Sequence, residues 1–170
     1  MPSDLTPAEL TLLGLLVEKP RHGYELEEVI AERGMREWTE IGFSSIYYLL
    51  AKLRSKGLIA DVPGHGRRRV YEPTADGVSA CAAAAEAAVA ELRPLFPPLL
   101  VGLASQPVVP PERFAAALDQ RATALADRIA AVSKAAKGDV PQFVRAIFDY
   151  ALGQLRAEQR WLSDYRQEIR

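Results

Sequence analysis

The chain has 170 residues, 49% of them apolar and 25% charged, which supplies a core and excludes a disordered composition. Its net charge of −1 says nothing for or against nucleic acid. One cysteine excludes an intrachain disulfide. With no apolar run of about 18 residues and no basic leader before an apolar stretch, no membrane partner and a cytoplasmic location are expected.

Thr6-Pro7-Ala8-Glu9 is a helix start: Thr6 caps, Pro7 fits the first helical position, and Glu9 reaches back to the cap amide. Leu10, Leu13, Leu16 and Val17 form the expected core stripe, widened by Leu12 and Leu15, and Lys19-Pro20 ends the helix. A second helix starts near His22-Gly23, with Tyr24, Leu26, Val29 and Ile30 inward. Glu25, Glu27, Glu28 and Glu32 face out, so this acidic helix cannot lie along phosphates. Gly34 closes it, and a connector carries Trp38, read as a core lid.

In the third helix Ile46, Leu49, Leu50 and Leu53 recur at i, i+3, i+4 and i+7, one apolar stripe. Ser44, Tyr48, Lys52 and Ser55 occupy the other face, with Ser45 at its edge and Tyr47 on the flank. Gly57 stops the helix. Leu58 to Val62 reads as a strand, Pro63-Gly64-His65-Gly66 as a turn, and Arg67 to Tyr71 as the return strand. A basic helix followed by a hairpin with arginines at its tip is a winged helix.

Thr74 and Asp76 open a fourth helix through an alanine-rich run, interrupted by Pro94, Pro97 and Pro98. Apolar residues between Leu95 and Leu103 suggest a short buried helix. A long helix then runs from Pro110-Pro111 to about Lys137, with Phe114, Leu118, Leu125, Ile129 and Val132 on its apolar face, and Gly138 ends it. Asp139 caps a last helix, whose apolar surface is assigned to Phe143, Ile147, Tyr150, Leu155, Trp161 (with Leu162) and Tyr165. The fold class is therefore mainly α with a small β-hairpin wing. Residues 1–77 are expected to form a winged helix-turn-helix domain, and 78–170 a helical dimerisation and candidate effector-binding domain. The surplus apolar surface of the long helices argues for a homodimer.

Charge segregates along the chain. Residues 43–71 hold six Lys or Arg (Lys52, Arg54, Lys56, Arg67, Arg68 and Arg69) against Asp61, or +5, whereas residues 1–42 sum to −5. Basic residues gather where a duplex would lie. Together His22-Gly-Tyr-Glu-Leu26, Ser45-Ile-Tyr47, Leu53-x-x-Lys-Gly-Leu-Ile59, Gly66-Arg-Arg-Arg-Val-Tyr71 and Thr74-Ala-Asp-Gly77 resemble the PadR family of bacterial transcriptional regulators. The resemblance covers residues 5 to about 80. It implies a repressor, dimeric through C-terminal helices, and in some members responsive to phenolic acids or hydrophobic drugs.

The expected DNA contacts are Ser44, Ser45 and Tyr48 to base edges or phosphates, and Tyr47 and Lys52 to the backbone. Arg67, Arg68 and Arg69 are expected to track phosphates or the minor groove. An apolar or aromatic effector is expected between the winged domain and the C-terminal helices, with Trp38, Phe43, Phe96 and Trp161 as candidate contacts. With two histidines and one cysteine, no cluster has metal-ligand spacing. No nucleophile elbow, P-loop or dinucleotide fingerprint occurs, so no catalytic residue, metal or cofactor is expected. The alternative is a winged-helix protein-docking adaptor without operator specificity.

Overall fold

The structure is a computed structural model that describes residues 5–39, 41–42, 45–63, 69–92, 94–137 and 141–169. The chain divides into two compact units, 1–93 and 94–170.

Unit 1 contains α1 (Pro7–Glu18), β1 (Arg21–His22), α2 (Gly23–Glu32), α3 (Ser45–Ser55), β2 (Ile59–Asp61), β3 (Val70–Pro73) and α4 (Ala75–Ala90). The start of α1 is a capping box. Thr6 N–H donates to Glu9 Oε2 at 2.8 Å, and Glu9 N–H donates to Thr6 Oγ1 at 3.3 Å. The buried positions of α1 are Leu12, Leu13, Leu15 and Leu16, with Glu9. Val17 is exposed and Leu10 only half-buried. The stripe is thus rotated from the expected one, because α1 packs on both α3 and α4 and its apolar arc must centre between them. In α2, Leu26 and Ile30 are buried, Val29 is half-buried and Tyr24 is exposed, its ring stacked on His22 rather than on the core.

β1 was not expected. It is two residues long and pairs antiparallel with β3, giving a three-stranded sheet in the order β1-β3-β2. Asp61 and Arg21 both face Tyr71 across β3. The return strand β3 begins at Val70, later than read from the sequence. Residues 64–68, which include the expected turn and Arg67 and Arg68, lie outside the described residues.

The short sequence signatures of this unit meet in pairs. A Cβ at Gly23 would sit 2.6 Å from Tyr47 Cε1, so only glycine lets the tyrosine ring lie across the start of α2. His22 Nδ1 is 2.9 Å from the Arg69 carbonyl; a carbonyl only accepts, so Nδ1 carries the proton. Gly57 takes a φ of 72°, the left-handed turn that ends α3. Thr74 N–H donates to Leu58 O (3.0 Å), Thr74 Oγ1 donates to Gly57 O (2.8 Å), and Gly77 N–H donates to Thr74 Oγ1 (3.0 Å). A Cβ at Gly77 would lie 1.9 Å from Leu58 O, so α4 starts in backbone contact with the root of β2. That contact puts α4 in unit 1, whereas the sequence division fell inside it at 77/78.

A second network holds the far end of α1. Arg21 is buried; its guanidinium donates to the Leu15 carbonyl and pairs with Glu18 at 3.0 Å. Glu18 also receives both terminal nitrogens of Arg33, at 2.7 and 2.9 Å. The Arg33 hydrogen bond, against the opposing effect of burial and with help from Arg21, holds Glu18 below the usual carboxylate range.

Unit 2 contains α5 (Pro98–Ala104), α6 (Pro111–Ala135) and α7 (Gln142–Glu168). The short helix α5 forms where expected but none of its residues is buried. On α6, Phe114, Leu118, Leu125 and Val132 are buried, as their spacing requires, with Ile129 half-buried. The partner face on α7 is Val144, Phe148, Leu152 and Leu162. It is only partly the expected one: Leu162 is buried and Leu155 and Tyr165 pack half-buried against the same cluster, whereas Phe143 is 63% and Tyr150 70% exposed, Trp161 is also exposed, and Ile147 is half-buried. α7 carries two apolar rows about half a turn apart, and the helix pair uses the one the larger side chains do not mark. Ion pairs Arg121–Glu158 and Asp119–Arg166, and the Tyr165 hydroxyl donating to Gln106 at 2.6 Å, show that α6 and α7 run antiparallel. Gly138 and Asp139 lie outside the described residues. Among the described residues, no helix is long and apolar enough to cross a membrane.

Candidate nucleic-acid interface

α3 is held by its apolar stripe: Ile46, Leu49, Leu50 and Leu53 are all buried against α1 and α2. The opposite face is then forced outward. Tyr47 is 58% and Tyr48 68% exposed, two large aromatic side chains near the helix N-terminus. Ser45 begins the helix half-buried, its hydroxyl donating to Gly42 O at 2.6 Å. Ser44 and Phe43 lie outside the described residues. Exposed aromatics on a short helix that is otherwise firmly seated point to a surface built to touch something.

Lys52 lies on the same side row as Tyr48 but its ammonium turns to α1. It lies 3.3 Å from Glu9 Oε1, and Lys56 donates to the same oxygen at 2.7 Å. The Glu9 side chain is 0% exposed. Burial alone would raise its pKa; the hydrogen bonds from Lys56 and Thr6, with Lys52, outweigh burial and hold it at about 2. Sequence reasoning used Glu9 only as a cap. A glutamate at the third helical position is satisfied by its cap amide alone, and nothing in the spacing of residues 9, 52 and 56 announces the two lysines.

Arg69 leaves β3 exposed, its Nε 3.8 Å from Asp61 Oδ2, and Arg54 from the end of α3 donates to the same oxygen at 3.3 Å. Asp61, the one acid between residues 43 and 71, thus sits between the helix and the wing. The expected triad of wing arginines is described only at Arg69.

The aromatic residues expected to contact an effector lie on both units. Trp38 is half-buried against the N-terminal core and borders an open groove of about 470 Å³ with Pro7, Leu10 and Thr11. Among the described residues its indole Nε1 has no hydrogen-bond partner. In unit 2, Trp161 stacks on Tyr165 at 5.4 Å and Phe96 is exposed. The cavities beside Phe114 and beside Leu162 are lined by neither.

A helix seated on two others, with a short sheet following it and exposed polar and aromatic side chains at its start, is a winged helix-turn-helix. Comparison with known proteins narrows the class. Residues 12–83 match the family model described as the transcriptional regulator PadR-like family. Over nearly its whole length the fold is similar to solved structures. Bacillus subtilis PadR in complex with operator DNA is 15% identical, with 97% of this chain and 100% of that chain covered and a TM-score of 0.73. The same protein in complex with p-coumaric acid is 16% identical, with 95% and 97% covered and a TM-score of 0.74. The Vibrio cholerae virulence activator AphA is 16% identical, with 95% and 96% covered and a TM-score of 0.78. A search of curated protein sequences gives no match. The resemblance to the PadR family read from the short motifs is borne out, and unit 1 carries that family's winged-helix fold.

Proposed function

We propose that this chain is a sequence-specific DNA-binding transcriptional regulator, a repressor acting as a homodimer on a pseudo-palindromic operator. The observation that carries the reading is the outward face of α3: Tyr47 and Tyr48 exposed beside Ser45, on a helix whose other side is fixed in the core. The neighbour solved with operator DNA supports it. Ser44, Ser45 and Tyr48 read bases from the helix, Tyr47 holds the backbone, and Arg67, Arg68 and Arg69 follow phosphates from the wing. The exposed row Phe143, Tyr150 and Trp161 on α7 supports a second copy as the partner of unit 2. Half-sites then fall about one helical turn apart.

Release by a planar apolar or aromatic effector is part of this reading, supported by the neighbour solved with p-coumaric acid. Trp38, Phe43, Phe96 and Trp161 are its candidate contacts, and Trp38 has a groove beside it. Tryptophan fluorescence titrated with planar aromatic compounds tests this; an unchanged signal across a broad panel would count against an effector.

The division of labour at DNA is tested by fluorescence anisotropy on operator and random duplexes at several salt concentrations. Arg67→Ala with Arg68→Ala should weaken both alike and flatten the log–log salt slope by about one unit per lost contact. Ser45→Ala or Tyr48→Ala should weaken the operator more than random DNA, each base contact being worth roughly 1–3 kcal/mol of discrimination. The reverse pattern would refute the assignment of helix and wing.

A further inference from the structure

Glu9 is a charge buried with no role in the interface as so far described. Taking a carboxylate out of water costs several kcal/mol, roughly, and an apolar side chain fills such a place as well. What the carboxylate adds is direction. Its Oε2 accepts from the Thr6 amide, which fixes it to the first turn of α1. Its Oε1 faces two ammonium groups, that of Lys52 on α3 at 3.3 Å and that of Lys56, just past the end of α3, at 2.7 Å. Lys56 N–H still donates to Lys52 O at 3.1 Å, so the two lysines, four apart, continue the row of α3 that begins at Tyr48. Rotation of α3 about its axis, and with it the aim of Tyr48, is therefore tied to α1 at the C-terminal half of the helix.

We propose that Glu9 is a positioning residue for the DNA-reading helix: it withdraws Lys52 and Lys56 from the duplex and fixes α3 so that only its N-terminal turns present side chains to the bases. This rests on the DNA-binding reading above. It departs from the expectation drawn from the sequence in one respect, since Lys52 becomes a strut of the protein and not a clamp on the phosphate backbone. The segment 43–71 then meets DNA with less positive charge than its sequence carries, and a larger share of its binding comes from contacts that discriminate.

The test uses the full chain, with binding to operator and random duplexes measured across salt for the wild type, Lys52→Gln, Glu9→Gln and the double variant. Lys52→Gln should leave the log–log slope unchanged, because no phosphate contact is lost. Glu9→Gln should release the Lys52 ammonium, tighten random binding, steepen the slope by about one unit, and lower the operator-to-random ratio about tenfold. Adding Lys52→Gln to Glu9→Gln should remove about one unit of that steepening. A slope flattened by about one unit in Lys52→Gln alone would overturn the proposal, as would a Glu9→Gln protein whose affinities for both duplexes fall by the same factor. If Glu9→Gln does not fold, the Lys52→Gln slope decides the matter alone. A wild type that binds no duplex at any salt removes the DNA-binding reading itself, an outcome separate from a wild type that binds while Lys52→Gln flattens the slope.

Discussion

Gly77→Ala should be destabilising at a position where helix propensity favours it. Alanine is better than glycine inside a helix by about 1 kcal/mol. At Gly77 the new methyl group would lie 1.9 Å from Leu58 O, against an ordinary carbon–oxygen approach of about 3.3 Å. The obstacle is backbone, so α4 must move by about 1.4 Å, and no rotamer change relieves it. Such overpacking costs about 1–3 kcal/mol. The same shift pulls on three hydrogen bonds: Thr74 N–H to Leu58 O, Thr74 Oγ1 to Gly57 O, and Gly77 N–H to Thr74 Oγ1. Each is worth about 0.5–1.5 kcal/mol net. After subtracting the propensity gain, a loss of about 2–4 kcal/mol is expected, or a fall in Tm of roughly 5–15 °C. Urea and thermal unfolding measure it. Gly14→Ala is the control, since a Cβ at Gly14 meets nothing within 4 Å and should gain about 0.5–1 kcal/mol. A Gly77→Ala protein as stable as the wild type, or one stabilised as Gly14→Ala should be, would refute the close approach of α4 to β2.

Three further outcomes are expected. Gly23→Ala should destabilise by about 1 kcal/mol as the Tyr47 ring is pushed aside, and Tyr47→Ala in the same chain should recover most of the loss in a double-mutant cycle of unfolding free energies. Glu9 has its folded pKa depressed from 4.5 to about 2, so its contribution is present above pH 4.5 and is lost as pH falls towards 2; at about 3 kcal/mol in full, it should appear as a shallower acid limb of the stability–pH curve in Glu9→Gln. Truncation after Ser133 removes α7 and uncovers Phe114, Leu118, Leu125 and Val132, so the shortened chain should be poorly soluble or monomeric in sedimentation, and a soluble dimer with full DNA affinity would contradict that.

The N-terminal unit was legible because its signals are local. The Thr6 capping box, the glycine at 57 and the Ile46–Leu53 stripe each act within one turn of helix, and all three stand where the sequence places them. What failed depends on neighbours far along the chain. On α1 the widening by Leu12 and Leu15 marked cover on more than one side, but the periodicity within residues 7–18 does not say where the covered arc centres, and Val17 is left exposed. β1 is two residues long, below any alternation that could be read, and exists only because β3 offers an edge. On α7 Phe143, Tyr150 and Trp161 drew part of the apolar face to the exposed row, while Leu162 was placed rightly, since size marks a hydrophobic position without saying which surface covers it. The ion pair of Lys52 with Glu9 was likewise unreadable, because its carboxylate lies 43 residues earlier in sequence.

The backbone contact between Gly77 and Leu58 has a mechanical consequence. α4 is 16 residues long, about 24 Å from end to end, and its first turn is welded to the root of the wing. A tilt of about 5° at that root displaces the far end by about 2 Å, and the relation runs equally in reverse. The helix is a lever with the wing on its short arm. Because α4 also packs on α1, a force applied near Ala90 is divided between α1 and the β2–β3 hairpin, which it reaches through the backbone contact at Gly77.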